Sequence, residues 1–279
     1  MPLTVGRYTT PGMASVNTFW IATGRGAVVV DAQRELSKAR EALSQLEAAG
    51  AGPVLAVILT HPHPDHFGGL GVFAPEGSGI PVFASRCTRD AVAADRFGLV
   101  AKSRQAVGDD FPARPRLPDH VLADGVAVEV GGVTLVPHEF GAGEAECMTV
   151  LHLPSEGAVF AADVLQDRMT AYLIEGRSGA WLGQLGRLRG AFPEARTLYP
   201  GHGDPGPPAD LIARQEAYLH AFRAAVRSAL VDGALPDGAS GRVAGGMAAR
   251  FPGYQPAAAI PELLAMNVAP VAGELGAPA

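Results

Sequence analysis

The chain has 279 residues, 48% of them hydrophobic, which is enough apolar material for a sizeable core and excludes overall disorder. Lys and Arg number 22 against 28 Asp and Glu, a formal net charge of -6. That acidic balance argues against sequence-independent binding to nucleic acid or to an anionic membrane, because both require a basic surface.

The cysteine content and the apolar runs lead to expectations about the cellular compartment of the protein. Cys87 and Cys147 exclude a disulfide scaffold and a four-cysteine zinc site, and we expect them to be free packing residues in a reducing compartment. No apolar run reaches the length of a membrane helix, and residues 1–10 lack the pattern of a secretory signal. The expectation is a cytoplasmic protein with a small-molecule substrate and no nucleic-acid or membrane partner; a homodimer stays open.

Apolar runs in the first third of the chain predict a βαβ unit. Residues 26–30 are a continuous apolar run that predicts a buried strand ending at Asp31. Residues 54–59 and 80–84 predict two further strands of the same kind. Between the first two lies a predicted helix whose apolar residues are spaced three and four apart: Leu36, Ala39, Leu43 and Leu46.

Residues 95–120 have no clear periodicity. Gly108, Pro112, Pro115 and Pro118 interrupt any regular pattern, so a long loop is predicted. Long loops in compact domains often border a functional site, but a plain surface connection fits the sequence equally well.

The second half of the chain predicts hairpins followed by helices. Alternation across residues 126–136 around Gly131-Gly132 predicts a hairpin with a two-residue turn, and residues 147–153 and 158–161 predict a second strand pair. Helices are predicted around Trp181 to Phe192 and over residues 210–230, separated by a short strand at 197–199. The segment after residue 233 is rich in Gly, Ala and Pro, with one helical stretch near residues 260–266.

One short segment contains most of the residues capable of metal chemistry. The run Thr-His-Pro-His-Pro-Asp-His-Phe-Gly-Gly occupies residues 60–69, directly after a predicted buried strand. It places three imidazoles and a carboxylate within six residues: His61, His63, Asp65 and His66. Imidazole and carboxylate are the ligand types of zinc, iron and manganese. The glycines at 68 and 69 are expected to let the backbone turn tightly beside the ions.

Two later residues extend this set of candidate ligands. Asp163 ends the apolar run at residues 158–162, and His202 follows the next predicted strand in the sequence Tyr-Pro-Gly-His-Gly. Alone, each is more often a capping residue or a histidine satisfied within a turn. The histidine-rich run favours a metal-binding role for both Asp163 and His202.

The order and spacing of these motifs resemble the metallo-β-lactamase fold superfamily of metallohydrolases. The resemblance covers residues 16–203 and rests on the His-x-His-x-Asp-His run, Asp163 and Gly201-His202. It implies a four-layer αββα sandwich of mixed α and β structure. We expect a single domain over residues 1–279, with a catalytic core of about 1–205 and a C-terminal helical extension at 206–279.

The resemblance also implies a ligand set for two divalent ions, most often Zn²⁺, with Mn²⁺ or Fe²⁺ as alternatives. His61 and His63 would bind the first ion, Asp65, His66 and His202 the second, and Asp163 both. The family's remaining histidine is absent here, because the corresponding segment, residues 141–147, contains none. Alignment on the following strand places Glu144 there, as in alkylsulfatase-like branches. Glu139, Glu146 and His138 are the alternatives.

The implied reaction is hydrolysis by a metal-bound hydroxide, oriented by Asp65 and Asp163, on a small ester, lactone or thioester. Alternatives are a sulfate ester hydrolase, a mononuclear iron dioxygenase of the same fold, or a binding protein that keeps the fold without catalysis. Arg168, Tyr172 and Arg177 follow Asp163 and are candidates for holding an anionic group of the substrate, although surface placement is the commoner fate of such side chains.

Overall fold

A computed structural model of the protein describes residues 3–276. Within them, two sheets pack face to face with helices on the outer faces, as the αββα prediction requires. The first sheet contains, in spatial order, β1 (Thr4–Thr9), β2 (Asn17–Ala22), β3 (Ala27–Val30), β4 (Val54–Ile58), β5 (Val82–Ser85) and β6 (His120–Leu122). Strands β1 to β3 are antiparallel, and β3 to β6 are parallel.

The second sheet packs against the first and is mostly antiparallel. Its strands are β7 (Val128–Val130), β8 (Val133–Glu139), β9 (Thr149–Leu153), β10 (Ala158–Gln166) and β12 (Thr197–His202). Their spatial order is β12-β10-β9-β8-β7, and β12 runs parallel to β10. A small parallel ribbon outside this sheet joins β11 (Met169–Thr170) to β13 (Gln255–Pro256).

Helices cover the outer faces of both sheets. Those of the first half are α1 (Leu36–Ala48), α2 (Pro64–Phe67), α3 (Leu70–Phe73), α4 (Arg86–Ala94) and α5 (Leu99–Val107). Those of the second half are α6 (Ser178–Ala191), α7 (Pro208–Ala229), α8 (Ala239–Arg250), α9 (Leu263–Met266) and α10 (Val268–Gly276). None of the helices within residues 3–276 combines the length and hydropathy needed to cross a membrane.

The predicted strand at residues 26–30 shows why the sequence forms layers. Val28 and Val30 of β3 point between the sheets, and Ala27 and Val29 point toward α1. Both faces are therefore buried, which explains a continuous apolar run instead of alternation. Each fully buried valine contributes roughly 1.5–3 kcal/mol relative to exposure. The strand consequently fixes the position of the residues that follow it.

The two-residue turn predicted at Gly131-Gly132 is confirmed. Val130 pairs with Val133 across it, and the two glycines have φ of 61° and 86°. Positive φ at both central positions is the type I′ geometry that suits the twist of a hairpin. The strand pair expected around residues 154–157 is also present, with Ala158 opposite Leu153.

The prediction of an unbroken loop over residues 95–120 is wrong, because α5 lies within it. The interrupting residues used for that prediction begin at Gly108, beyond the last residue of the helix. The Asp95 carboxylate accepts hydrogen bonds from the backbone N–H groups of Leu99 and Val100, at 2.6 and 3.3 Å. A cap contributed from outside the apolar pattern thus starts the helix.

The C-terminal segment is more helical than the sequence predicted. Helices α8 and α10 flank the one stretch expected near residues 260–266. In α8, Ala239, Val243 and Met247 are buried at four-residue spacing, although glycines occupy part of the exposed face. Tertiary packing against α7 and α10 therefore outweighs weak intrinsic helix propensity.

The expectation of free cysteines is also wrong. Cys87, in the first turn of α4, forms a disulfide with Cys147, whose Cα lies 5.9 Å away, just before β9. The residues are 60 positions apart, so sequence proximity gave no indication of the pairing. The bond joins the helical layer of the first half to the second sheet.

Candidate metal centre

The site lies where strands of both sheets end. His61 and His63 follow β4 directly, and Asp65 and His66 lie on α2, the short helix that comes next. Pro64 at the first helical position favours that start, because its fixed φ suits a helix and its missing N–H has no partner to lose there. Parallel strands place their carboxyl ends at one edge, so this turn faces the edge of the sheet.

The second sheet contributes from separate segments. Asp163 lies within β10, His202 ends β12, and Glu144 lies on the connection between β8 and β9. Because β10 and β12 are parallel neighbours, Asp163 and His202 reach the same edge. The backbone there approaches closely: a Cβ on Gly201 would lie 1.8 Å from Asp163 Oδ1, so only glycine fits.

A first group of potential ligand atoms joins the histidine-rich turn to Glu144. Glu144 Oε2 lies 3.1 Å from His63 Nδ1 and 3.9 Å from His61 Nε2. His61 Nε2 is also 4.0 Å from Asp163 Oδ2. Two ligands bound to one zinc ion at about 2.1 Å in tetrahedral geometry are about 3.4 Å apart. The observed separations are close to that spacing.

A second group of potential ligand atoms lies beside the first. His202 Nε2 is 3.0 Å from Asp163 Oδ2 and 3.5 Å from Asp65 Oδ2. His66 Nε2 is 3.3 Å from Asp163 Oδ1 and 4.0 Å from Asp65 Oδ2. Asp163 therefore has oxygens close to both groups.

Several of these atoms are buried without a hydrogen-bond partner among the described residues. They are His61 Nε2, His66 Nε2, Glu144 Oε2 and Asp163 Oδ1. A buried polar atom left unpaired is unfavourable by about 1–3 kcal/mol, so a bound cation would stabilise a cluster of such atoms. Imidazole nitrogens and carboxylate oxygens are suitable ligands for divalent transition ions. The residues present thus fit a metal centre.

Asp31, at the end of β3, orients the histidines from behind. Its Oδ2 accepts a hydrogen bond from His66 Nδ1 at 2.9 Å, and its carboxylate accepts two more from the N–H and hydroxyl of Thr60, at 2.9 and 2.8 Å. Thr60 Oγ1 in turn lies 2.9 Å from His61 Nδ1. With those nitrogens protonated, the Nε2 lone pairs of both histidines face the centre. Asp31 itself has φ of 60°, a strained conformation for a non-glycine residue.

Glu175 has the corresponding place behind His63. His63 Nε2 donates to Glu175 Oε1 at 2.9 Å, which leaves Nδ1 facing Glu144. Arg177 pairs with the Glu175 carboxylate and donates from Nε to the carbonyl oxygen of Gly143 at 3.1 Å. The arginine therefore ties the residue behind His63 to the loop that carries Glu144.

The sequence matches the model of the metallo-beta-lactamase superfamily over residues 11–202, more than half of the chain. The chain belongs to the metallo-beta-lactamase superfamily. It is 25% identical over 198 residues to the metallo-beta-lactamase type 2 of Bacteroides fragilis, a match that covers 70% of this chain and 72% of that protein.

Solved structures of the superfamily show the same fold. A beta-lactamase domain protein from Burkholderia ambifaria has a TM-score of 0.70 at 20% identity, covering 97% of this chain and 85% of that one. A metallo-beta-lactamase family protein from Thermus thermophilus has a TM-score of 0.67 at 24% identity, covering 96% and 91%. At these identities the likeness supports the fold alone. Membership of the superfamily supports a metal-dependent hydrolase in general.

The charges at this superfamily site favour a bound cation. Burial lowers the pKa of His66, but the carboxylates of Asp163, Asp31 and Asp65 together raise it to about 10. Burial raises the pKa of Glu144 to about 7, against the opposing effect of His63. Burial also raises the pKa of Asp163, yet His202, His66 and His61 hold it well below its usual range. Protons and metal ions would compete for the same atoms.

Among the alternatives left open for the first group, the structure brings Glu144 to the histidines. Glu144 is 3% exposed, whereas Glu139 is exposed at the end of β8. His138 packs beside Phe192, with ring centroids 5.0 Å apart. Glu146 is half-buried and has no part in either group of ligand atoms.

Of the three residues predicted to contact the substrate, only Tyr172 lines the cavity over the centre. A cavity of about 390 Å³ opens over the centre and is lined in part by Tyr172. Arg168 is exposed and outside that lining, because β10 continues to Gln166 and the turn that follows lies beyond the site. Arg177, engaged with Glu175 and Gly143, does not line the cavity either.

The role predicted for the glycines at 68 and 69 is wrong. Both have ordinary negative φ, -55° and -87°, so no unusual turn requires them. A Cβ would instead lie 2.1 Å from the carbonyl oxygen of Arg34 at Gly68, and 2.0 Å from that of Ala32 at Gly69. These glycines let the segment after β3 approach closely.

Sequence reasoning assigned no role to Asp31 or Glu175. A signal existed for Asp31, since a carboxylate directly after a buried apolar strand is unusual for packing alone. Nothing in the sequence connects Glu175 to His63, which is 112 positions away.

Proposed function

We propose that the protein is a binuclear metal-dependent hydrolase acting on a small ester, lactone or thioester. The observation that carries the proposal is the position of Asp163, whose carboxylate oxygens face both groups of potential ligand atoms. The first ion would be held by His61, His63 and Glu144, with Asp163 shared. The second would be held by the remaining ligand atoms, those of Asp65, His66 and His202.

Divalent ions in such a centre supply Lewis acidity and activate water for nucleophilic attack near neutral pH. The protein's own side chains orient the reactants. Asp65 and Asp163 line the cavity, where their oxygens can accept a hydrogen bond from the attacking water and orient it. Burial raises the pKa of Tyr172 to about 12, so its hydroxyl stays protonated and can donate to a substrate oxygen.

Zinc is the first expectation for the metal, with manganese or iron as alternatives. Glu144 places an anionic oxygen where a neutral imidazole would otherwise lie, and oxygen ligands favour harder ions. In Glu144→His, we expect competitive binding to shift toward zinc over manganese. An unchanged metal preference would contradict this role of Glu144.

The same carboxylate supports a second candidate, hydrolysis of sulfate esters. Branches with that activity, which the sequence resembles here, also use glutamate in the site. A sulfate ester therefore belongs in the substrate panel beside the carboxylic esters. Hydrolysis of the sulfate ester alone would replace the first candidate with the second.

The test is hydrolysis of 4-nitrophenyl acetate, a lactone, a thioester and 4-nitrophenyl sulfate by the purified full chain supplied with zinc. His61→Ala should reduce turnover by more than about 100-fold, since even partners outside the ligand shell are worth 10–100-fold. The matched control is His220→Ala on the exposed face of α7, which should match wild type. Turnover by wild type that His61→Ala leaves unchanged, or no turnover of any substrate, would contradict the proposal.

A further inference from the structure

The cavity over the centre has a polar floor and mostly apolar walls, although the charged residues Arg34, Glu35 and Lys102 also line it. Asp65, Asp163 and His202 form part of the floor. The walls come from outside the strands that carry the site: Val16 before β2, Leu99 on α5, and the segment Ala257 to Ile260 that follows β13. The C-terminal part of the chain therefore bounds the space in which a substrate would lie.

Backbone hydrogen bonds fix this C-terminal wall in place. Strand β13 pairs with β11, which follows the Asp163-bearing strand β10. Ala257 N donates to the carbonyl oxygen of Thr170 at 3.0 Å, and Ala14 N donates to that of Pro256 at 2.9 Å. The wall is thus held from both sides of the cavity. Its position relative to Asp163 is therefore set by backbone pairing and not by side-chain packing alone.

The residues of that wall are small where they face the cavity. Ala257, Ala258 and Ala259 all line it, and Ile260 extends the apolar surface. Short side chains leave the space open and present methyl groups to whatever fills it. Met266 also lines the cavity, and its unbranched side chain can adapt to an apolar ligand.

Resting on the proposed hydrolase function, we propose that the preferred substrates carry an alkyl or acyl chain next to the scissile bond, and that Ala258 and Ala259 set its length. Each methylene moved from water into an apolar wall favours binding by up to about fourfold. In an acyl ester, the oxygen of water bonds to the acyl carbon as the acyl C–O bond breaks. One water proton passes to the leaving oxygen, and the carboxylic acid formed releases its own proton at neutral pH.

The first experiment compares 4-nitrophenyl acetate, butanoate and hexanoate. For wild type, kcat/KM for the hexanoate should exceed that for the acetate by at least about 10-fold. This value lies below the limit of about fourfold for each added methylene, because the chain need not be fully removed from water. In Ala258→Phe and Ala259→Phe, which fill the cavity, that ratio should fall toward 1. The matched control is Ala249→Phe on the exposed side of α8, which should keep the wild-type ratio. A wild-type ratio near 1, or an unaltered ratio in both cavity variants, would overturn the proposal.

A binding experiment separates this proposal from the hydrolase function. Calorimetric titration with octanoate and with acetate measures the apolar site without catalysis. Octanoate should bind wild type at least about 100-fold more tightly than acetate, and Ala259→Phe should remove the difference. If that result is found without hydrolysis of any ester, the hydrolase proposal fails and the apolar site stands. If octanoate and acetate bind alike, the apolar site fails whether or not esters are hydrolysed.

Discussion

The first half of the sandwich brings its potential ligands from one short turn, whereas the second half brings them from separate strands and a loop. His61, His63 and His66 lie within six residues. Thr60 and Asp31, at adjacent strand ends, orient His61 and His66, whereas Glu175 of the second half orients His63. Glu144, Asp163 and His202 are far apart in sequence and depend on the second sheet and its connections. The first set is local in sequence, and the second requires the two sheets to be docked.

Because of this contrast, the site depends on the carboxylates of the second half. The turn alone offers imidazoles with one nearby carboxylate, and the carboxylate that faces both groups of ligand atoms, Asp163, comes from across the interface. The site therefore exists only when both halves are correctly placed.

The largest effect is expected for Asp163→Asn. The change removes the carboxylate that faces both groups and should reduce hydrolysis by more than about 100-fold while lowering metal content. Elemental analysis and ester turnover on the same sample give the two readouts. Asp204→Asn, at a side chain 81% exposed, is the matched control and should match wild type. Full metal content and full activity in Asp163→Asn would show that the halves do not share a ligand.

The disulfide between the halves should contribute about 2–4 kcal/mol to the free energy of unfolding, because it restricts the unfolded chain between Cys87 and Cys147. Urea unfolding with and without a phosphine reductant measures this. Wild type should unfold at lower urea when reduced, and the double variant Cys87→Ala/Cys147→Ala should not respond to reductant. Equal midpoints for oxidised and reduced wild type would contradict the bond's role.

Asp31→Asn and Glu175→Gln compare one orienting carboxylate from each half. Each should weaken metal affinity by about 10–100-fold, because a neutral partner orients the imidazole less strongly. The effect should be larger for Asp31, which also accepts both hydrogen bonds from Thr60. Competition with a chelating dye measures the affinity, and circular dichroism checks folding. A larger loss of metal affinity in Glu175→Gln than in Asp31→Asn would contradict the expected order.

The smallest effect concerns the outer helices of the second half. The Glu274 carboxylate accepts from the backbone N–H groups of Ser178 and Gly179, at 3.0 and 2.7 Å, and pairs with Arg223. Burial raises its pKa, but these donors lower it below the usual 4.5. The stabilisation is therefore present above about pH 4.5 and lost as pH falls through the lower, folded pKa.

Glu274→Gln should accordingly reduce stability by about 1 kcal/mol at neutral pH and leave a smaller difference from wild type in acid. Thermal unfolding between pH 3 and 7 measures both quantities. A difference from wild type that grows as the pH falls would contradict this account of Glu274.

The contrast between the halves also determined what the sequence could predict. The histidine-rich turn, β3 and the Gly131-Gly132 hairpin are encoded by contiguous residues, and each was predicted. Helix α5 was missed because Asp95, its cap, lies outside the apolar pattern. The disulfide and the contact between Glu175 and His63 were missed because they join residues 60 and 112 positions apart. Such pairings are set by docking of the layers.

The C-terminal wall of the cavity is a further example of the same limit. Its residues, a run of alanines after Pro256, belong to a segment in which the sequence predicted only one helical stretch, near residues 260–266. Their position follows from the pairing of β13 with β11, which no local pattern indicates. The candidate ligands from separate segments, Glu144, Asp163 and His202, could be predicted because their motifs resemble those of a known family. The cavity wall carries no such motif, and tertiary pairing alone places it.

The most direct measurement is the number of metal ions per chain, by elemental mass spectrometry on protein purified without chelator. We expect about two divalent ions per wild-type chain, with zinc or manganese dominant. One iron per chain would favour oxygen chemistry in the same fold instead. Absence of metal, with none taken up when zinc or manganese is added, would contradict a binuclear centre built by both halves.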